Sequence, residues 1–165
     1  MKRMRYGFTL IELIIVVSIL LILSFGVLVN YNTYNDRQKV HQAAMTLKAD
    51  LRYVQSLIVS GQKPVSICTT LDAYVVTFNG IAGCASGFEC YAITPKCDDA
   101  LLTDDIRVFT LPKSVIFSTT YSSIEFYPLT RGTNLSAPLI ITLTGVGTDN
   151  TYSIQVSPSG SVTEI

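Results

Sequence analysis

The feature that most constrains this chain is an apolar stretch near its N-terminus. Between Leu13 and Val29 every residue is apolar except three small ones, Ser18, Ser24 and Gly26. Together with the residues back to Phe8, the stretch reaches about 22 residues, or roughly 33 Å as a helix, against a hydrocarbon core of about 30 Å. The sequence therefore predicts a transmembrane helix over about residues 8–29.

The distribution of charge predicts the orientation of this helix, and the net charge argues against one class of partner. Three basic residues, Lys2, Arg3 and Arg5, precede the apolar stretch, so the positive-inside bias places the N-terminus in the cytoplasm and the rest of the chain after Asn30 outside it. Twelve basic and twelve acidic side chains give a formal net charge of zero. This balance argues against nucleic acid as a partner.

One acidic residue, Glu12, lies a single helical turn inside the apolar stretch. A lone carboxylate is costly there and by default indicates a partner of opposite charge. The alternative is that Glu12 lies at the membrane interface and reaches the water of the headgroups. The residue alone leaves both interpretations open.

The residues around the start of the stretch form a specific motif. An ordinary secretory signal has a small-x-small cleavage site on the far side of its apolar region, but here the far side reads Val29-Asn30-Tyr31-Asn32. The near side reads Tyr6-Gly7-Phe8-Thr9-Leu10-Ile11-Glu12-Leu13. This segment resembles the class III signal of type IV prepilins and pseudopilins, and it matches their Gly-Phe-Thr-Leu-Ile-Glu pattern at every position.

The resemblance implies a maturation and an assembly role. A prepilin peptidase would remove a leader of residues 1–7 by cutting between Gly7 and Phe8, and Phe8 would be N-methylated. Glu12 would then pair with the Phe8 amine of a neighbouring subunit. The implied partners are other pilin or pseudopilin subunits, the peptidase and a membrane platform protein for assembly, with the chain as a single-pass protein of the bacterial cytoplasmic membrane.

A second periodic pattern follows the apolar stretch. Apolar residues recur at steps of three and four, which is typical of one face of a helix: Val40, Ala44, Leu47, Leu51, Val54 and Ile58. Gly61 followed by Pro64 is a helix stop signal. The sequence thus predicts one helix over residues 8–60, with its second half packed against a head domain of residues 61–165.

The head is predicted to be rich in β-strands, because Val, Ile, Thr, Tyr and Phe dominate it in short runs broken by turn residues. The predicted strands are Val65 to Thr70, Ala73 to Phe78, Glu89 to Thr94, Ile106 to Leu111, Val115 to Thr119, Ile124 to Tyr127, Leu139 to Thr144, Tyr152 to Val156 and Val162 to Ile165. Glycines and acidic or amide turn residues between Thr144 and Tyr152 predict a hairpin there. A helix followed by antiparallel strands predicts an α+β fold. The resemblance implies, more narrowly, a pilin fold.

Segments of the head are similar to those of H-type minor pseudopilins and related minor pilins. They are Phe126-Tyr127-Pro128-Leu129-Thr130-Arg131-Gly132, the closing segment from Tyr152 to Val162 with its Pro158 and Gly160, and Val65-Ser66-Ile67-Cys68. Some minor pilins of this type bind DNA through an arginine directly after the closing glycine. Ser161 occupies that position here, so the resemblance does not carry DNA binding over.

The four cysteines, Cys68, Cys84, Cys90 and Cys97, lie in the part predicted to face outward, where disulfides form. Three connectivities are open, and we favour Cys68 with Cys84 and Cys90 with Cys97. A zinc site is the competing interpretation, although the spacings do not match paired Cys-x-x-Cys knuckles.

The remaining candidate residues point to no catalytic or cofactor site. Asp98, Asp99, Asp104 and Asp105 form an acidic cluster that predicts a solvated loop, with calcium as the alternative that the resemblance to major pseudopilins raises. His41, the single histidine, is expected on an exposed helix face. Nucleophile–base sets, phosphate-binding loops and metal-ligand spacings are not found, so no enzyme and no cofactor are predicted.

The leading functional hypothesis is a structural subunit, a minor pilin or pseudopilin of a type IV pilus, a competence pilus or a type II secretion pseudopilus. A major pilin is the alternative within this machinery. A DNA-binding or adhesive module on the same helix is the alternative from another class. A third hypothesis, a single-span protein with a catalytic ectodomain, predicts that residues 1–7 are retained.

Overall fold

The computed structural model describes residues 9–64, 68–78, 80–102, 106–129 and 132–165, and for residues 25–33 it describes the backbone alone. One helix, α1, occupies Leu10–Val59. The chain divides into two compact units, of which the first ends at Asn35 and the second is Asp36–Ile165. The second unit contains the latter part of α1 and the strands.

Local hydrogen bonds define both ends of α1. At the start, Thr9 Oγ1 accepts a hydrogen bond of 3.4 Å from the backbone N–H of Glu12, which makes Thr9 the N-cap. At the end, Gln62 N–H donates to the carbonyl of Leu57 at 3.0 Å, and Gly61 N–H donates to that of Ile58 at 3.2 Å. These two bonds form a Schellman motif with Gly61 at φ 63°, as its stop signal predicts.

The head contains ten strands in the part of the chain that the structure describes. In chain order they are β1 (Leu71–Phe78), β2 (Cys90–Cys97), β3 (Ala100–Leu101), β4 (Arg107–Thr110), β5 (Val115–Thr119), β6 (Ser123–Tyr127), β7 (Gly132–Thr133), β8 (Leu139–Gly145), β9 (Thr151–Val156) and β10 (Val162–Glu164). The predicted strand Val65 to Thr70 is not formed at residues 68–70, and its residues 65–67 lie outside the described part.

The strands form two antiparallel sheets. The larger sheet has the order β3-β2-β1-β6-β7, with β4 also paired to β2, and the smaller sheet has the order β10-β9-β8-β5. The turn predicted between Thr144 and Tyr152 joins β8 to β9, whose register places Leu143 opposite Tyr152. An N-terminal helix with antiparallel sheets confirms the predicted α+β class.

The core of the head lies between the second half of α1 and the two sheets. All six residues of the predicted stripe are buried, from Ala44, Leu47 and Val54 at 0% exposure to Ile58 at 6%. They share one cluster with buried residues of both sheets, such as Val76 of the larger sheet and Ile141 of the smaller one. Burial of each such leucine or isoleucine contributes about 1.5–3 kcal/mol, so this stripe is what attaches the helix to the head.

Strand β2 continues past the point at which the sequence predicted its end. The predicted strand ends at Thr94, and the next residue, Pro95, has no N–H to donate to a ladder. The carbonyl of Pro95 accepts a hydrogen bond of 3.0 Å from Leu102 N–H, so the edge of β2 that lacks the donor faces away from β1. On that edge β4 pairs with β2 only as far as Ile93, and β3 begins at Lys96. Pro95 therefore lies in a gap of the ladder, where a missing N–H costs nothing.

Candidate assembly site

The first turn of α1 carries the one described residue of the predicted processing and assembly set. Gly7 and Phe8 lie outside the described residues, whereas Glu12 is in the first turn of the helix. A carboxylate there is favoured by the positive end of the helix dipole. Glu12 therefore has a local stabilising effect on the helix in addition to its predicted pairing with a cation.

Thr9 is a residue of this site that the sequence analysis did not single out. Its hydroxyl oxygen accepts the N–H of Glu12, three residues later. The signal was available, because Thr9-Leu10-Ile11-Glu12 fits the capping-box pattern of Ser or Thr followed three residues later by Glu. This cap fixes the start of the helix at Leu10, so that Phe8 and Thr9 separate the helix from the predicted cleavage point.

The segment from Leu10 to Ser24 is exposed at every residue. Its large apolar side chains range from 46% exposure at Val17 to 78% at Leu10. The hydroxyls of Ser18 and Ser24 donate within the helix, to the carbonyls of Ile14 at 2.8 Å and of Leu20 at 2.7 Å. The segment thus presents an apolar surface on all sides, and an exposed surface of that kind marks a site of interaction with protein or lipid.

The transmembrane helix predicted over residues 8–29 is described only in part. Across the described residues, no helix combines the length and the hydropathy that crossing a membrane requires. The side chains of residues 25–33, which include the end of the predicted 8–29 span, lie outside the described part.

The cysteine pairing that we favoured from the sequence is wrong. The structure pairs Cys68 with Cys97 and Cys84 with Cys90. The register between β1 and β2 places Leu71 opposite Cys97, and this brings the segment just before β1 to the end of β2. The second disulfide closes the short loop that enters β2. All four sulfurs are bonded, so the competing zinc interpretation has no thiolates.

The acidic cluster divides into a described and an undescribed part. Both carboxylate oxygens of Asp98 accept backbone N–H groups, from Thr70 at 3.0 Å and Thr69 at 3.1 Å. Asp98 thus holds the segment that follows Cys68 against the end of β2. Asp104 and Asp105 lie outside the described residues. Within the described part, no group of three or more His, Cys, Asp or Glu residues is placed to hold a metal.

Two of the head segments that resemble minor pseudopilins are in contact with each other. Thr133 N–H donates to the carbonyl of Pro158 at 2.8 Å. A Cβ at Gly132 would lie 2.3 Å from that same oxygen, so only glycine fits there. On the other side, Gln55 of α1 donates to the carbonyl of Gly160. Packing against Pro158 explains the glycine at position 132, and Arg131 lies outside the described residues.

A polar cluster ties the same flank of α1 to the last strand. Lys48 Nζ lies 2.8 Å from Glu164 Oε2, and Tyr152 donates its hydroxyl to the other oxygen of Glu164. The hydrogen bond from Lys48 lowers the pKa of Glu164, and the hydrogen bond to Glu164 raises the pKa of Tyr152. His41 is exposed, as predicted, with its ring edge-on to that of Tyr152 at 5.0 Å.

On the opposite flank, α1 is tied to the larger sheet by a buried tyrosine and a partly exposed aspartate. The hydroxyl of Tyr91, a residue only 2% exposed, donates to Asp50 of α1. Burial raises the pKa of Tyr91, and the hydrogen bond to Asp50 raises it further. The two flanks together orient the helix face so that the apolar stripe points at the core.

Comparison with known proteins finds a match at the N-terminus. Residues 2–28 match the family model described as the prokaryotic N-terminal methylation motif. No curated protein and no solved structure matches the chain. A motif of this type supports a structural subunit of the pilin-like or pseudopilin kind. The chain carries a prepilin-type N-terminal methylation motif over residues 2–28, consistent with the type IV pilin and pseudopilin superfamily.

Proposed function

We propose that this chain is a structural subunit of a type IV pilus, a competence pilus or a type II secretion pseudopilus, and that it is assembled through the first half of α1. The observation that carries the proposal is the exposed apolar surface from Leu10 to Leu23, which begins within the methylation motif. A helix that is apolar on every side needs surroundings that shield it from water. Lipid before assembly and the same segment of other subunits after assembly would both provide such surroundings.

The proposed maturation gives Glu12 its role. Cleavage between Gly7 and Phe8, followed by N-methylation, leaves a cationic amine at Phe8. Because the N-terminal end of a helix is itself positive, a cation next to the N-cap Thr9 is unfavourable unless a carboxylate compensates it. In the filament, Glu12 of an incoming subunit pairs with the Phe8 amine of its neighbour. This pair fixes the axial position of each subunit, since burying either charge alone in an apolar bundle is costly.

Within this class of proteins, we propose that the chain is a minor subunit. It would be anchored by one span in the bacterial cytoplasmic membrane, with its N-terminus in the cytoplasm. It would be processed by prepilin peptidase and inserted by the platform protein of the assembly machinery. The weaker similarity of the segment from Phe126 to Gly132 to minor pseudopilins supports this assignment over a major pilin. Quantifying the chain against the other subunits of sheared filaments tests it, and a stoichiometric excess would make the chain a major pilin.

Substitution of the carboxylate tests the proposed assembly directly. Glu12→Gln keeps the shape of the side chain and removes its charge, so we expect cleavage at Gly7 to continue while incorporation into sheared filaments falls at least about tenfold. Ser18→Ala, which removes only a hydroxyl bonded within the helix, is the matched control and should assemble normally. Equal incorporation of cleaved Glu12→Gln and of the unchanged chain would refute the charge-pairing step.

A further inference from the structure

A cleft opens in the head where the helix ends and where the ladder of β2 is interrupted. Its volume is about 280 Å³. The helix end contributes Tyr53 and Leu57, the segment after it contributes Gln62, Lys63 and Pro64, and the larger sheet contributes Tyr74, Ile93, Pro95 and Arg107. None of the predicted assembly residues belongs to it, so the cleft is separate from the site described above.

The backbone explains why the cleft exists and why it is preformed. Pro95 lies in the gap between β4 and β3, and on the edge of β2 that faces away from β1 none of the described strands pairs with it at that point. Tyr74 lies opposite Pro95 in the register of β1 and β2, and its hydroxyl donates to the carbonyl of Gln62 at 3.0 Å, which holds the residue after the Schellman turn beside the gap. Because these walls are held by hydrogen bonds and buried side chains, a ligand would not have to order them.

The floor and the rim of the cleft differ in chemistry. The floor is apolar, with Ile93 at 3%, Tyr74 at 7% and Leu57 at 8% exposure. The rim carries two exposed cations, Lys63 and Arg107. Among the described residues, neither cation forms a salt bridge, and the lining contains no carboxylate.

Each of the two cations donates one side-chain hydrogen bond to the described part of the head, and this bond uses only some of its donors. One guanidinium nitrogen of Arg107 donates to the hydroxyl of Tyr53 at 3.3 Å, and its central carbon lies 5.9 Å from the centre of that ring. A guanidinium has five N–H donors in a planar fork that matches a carboxylate. Lys63 donates to the carbonyl of Thr69, and an ammonium has three donors. Tyr53 is itself 43% exposed, so its ring can also stack on a flat ligand.

We propose that this cleft binds a small organic anion, namely a carboxylate attached to a single six-membered ring. Arg107 and Lys63 pair with the carboxylate, and the ring lies between Tyr53 and the apolar floor. The cleft volume of about 280 Å³ leaves room for one ring with one carboxylate. Aromatic acids and uronic acid sugars share this chemistry.

Titration calorimetry of the full chain in nonionic detergent tests the proposal with five probes. Benzoate and glucuronate represent the two sources of the anion, benzyl alcohol and glucose are their neutral counterparts, and inorganic phosphate supplies charge without a ring. We expect one of the two carboxylates to bind with Kd of about 1 mM or lower and at least about tenfold more tightly than its neutral counterpart and phosphate.

Three substitutions of cations make the result specific to the cleft. Arg107→Gln and Lys63→Gln should each raise Kd at least about fivefold, because each removes one charged donor. Lys113→Gln removes an exposed cation outside the cleft and should leave Kd unchanged. Unchanged affinity in both cleft variants, equal binding of phosphate, or binding of neither carboxylate would overturn the proposal.

Discussion

The two halves of α1 show what decides whether an apolar helix is buried within its own chain. In the first half, apolar residues occur on every side, and Leu20 is 57% exposed. In the second half they form one stripe, polar residues flank it, and Leu51 is 1% exposed. A stripe can be satisfied by one sheet, whereas a helix that is apolar all round needs partners on every side. The head provides the first kind of partner, and only lipid or other helices provide the second.

Matched leucine substitutions give the largest expected contrast between the halves. Leu51→Ala leaves a cavity in the core and should lower the free energy of unfolding of the head by about 2–5 kcal/mol. Leu20→Ala should change it by less than about 0.5 kcal/mol, because the side chain is exposed in the isolated chain. Urea unfolding followed by circular dichroism measures both. Equal losses would mean that the first half also packs within its own chain.

The disulfides sharpen the contrast because both belong to the head. Cys68 and Cys97 are separated by 29 residues. For their replacement by serine, the loop-entropy relation predicts that the free energy of unfolding falls by about 3.5 kcal/mol. The same relation predicts about 2 kcal/mol for Cys84 and Cys90, separated by 6 residues. Unfolding of the two double variants checks the order. Peptide mapping without reductant that linked Cys68 to Cys84 would contradict the pairing itself.

Two glycines with the same φ test whether the close approach of Gly132 to Pro158 affects the stability of the head. Gly132 and Gly147 both have φ of 76°, but only Gly132 lies against another segment of backbone. Gly147→Ala should therefore cost about 1 kcal/mol for its conformation. Gly132→Ala should cost about 1–3 kcal/mol more, because its Cβ would collide with the carbonyl of Pro158. Thermal unfolding that showed the same loss for both would show that the close approach does not hold.

The smallest expected effect is the pH dependence of the contact between α1 and β10. The lowered pKa of Glu164 means that its bonds with Lys48 and Tyr152 stabilise the fold above its ordinary pKa of about 4.5. This stabilisation is lost as the pH falls through the lowered value. Glu164→Gln should therefore reduce Tm slightly at neutral pH, and the difference should shrink as the pH falls below about 4.5 and through the lowered pKa of Glu164. Asp149→Asn, in an exposed turn, is the control, and a Tm difference that persisted in acid would exclude the ionic explanation.

The sequence predicted those parts of the fold that depend on local patterns. The spacing of the stripe from Val40 to Ile58 predicted its burial, and Gly61 predicted the end of the helix. The turn residues between Thr144 and Tyr152 predicted the hairpin of β8 and β9. These predictions hold because the same few residues determine both the pattern and the structure.

What the sequence did not predict depends on contacts between distant segments. The two-residue strands β3 and β7 are too short to have a pattern of their own and are defined by their neighbours. The pairing of Cys68 with Cys97 follows from the register of β1 against β2. The tolerance of Pro95 within β2 follows from the gap beside it. Register and gaps are properties of the assembled sheet, which no local window contains.

The central claim is that the apolar start of the helix is retained after the leader is removed, and that it is the surface of assembly. Mass spectrometry of the N-terminal peptide, from cells that process their other prepilins, tests it most directly. We expect a chain that begins at Phe8 and is heavier there by one methyl group. A chain that still begins at Met1 would contradict the account, because Glu12 would then have no new amine to pair with.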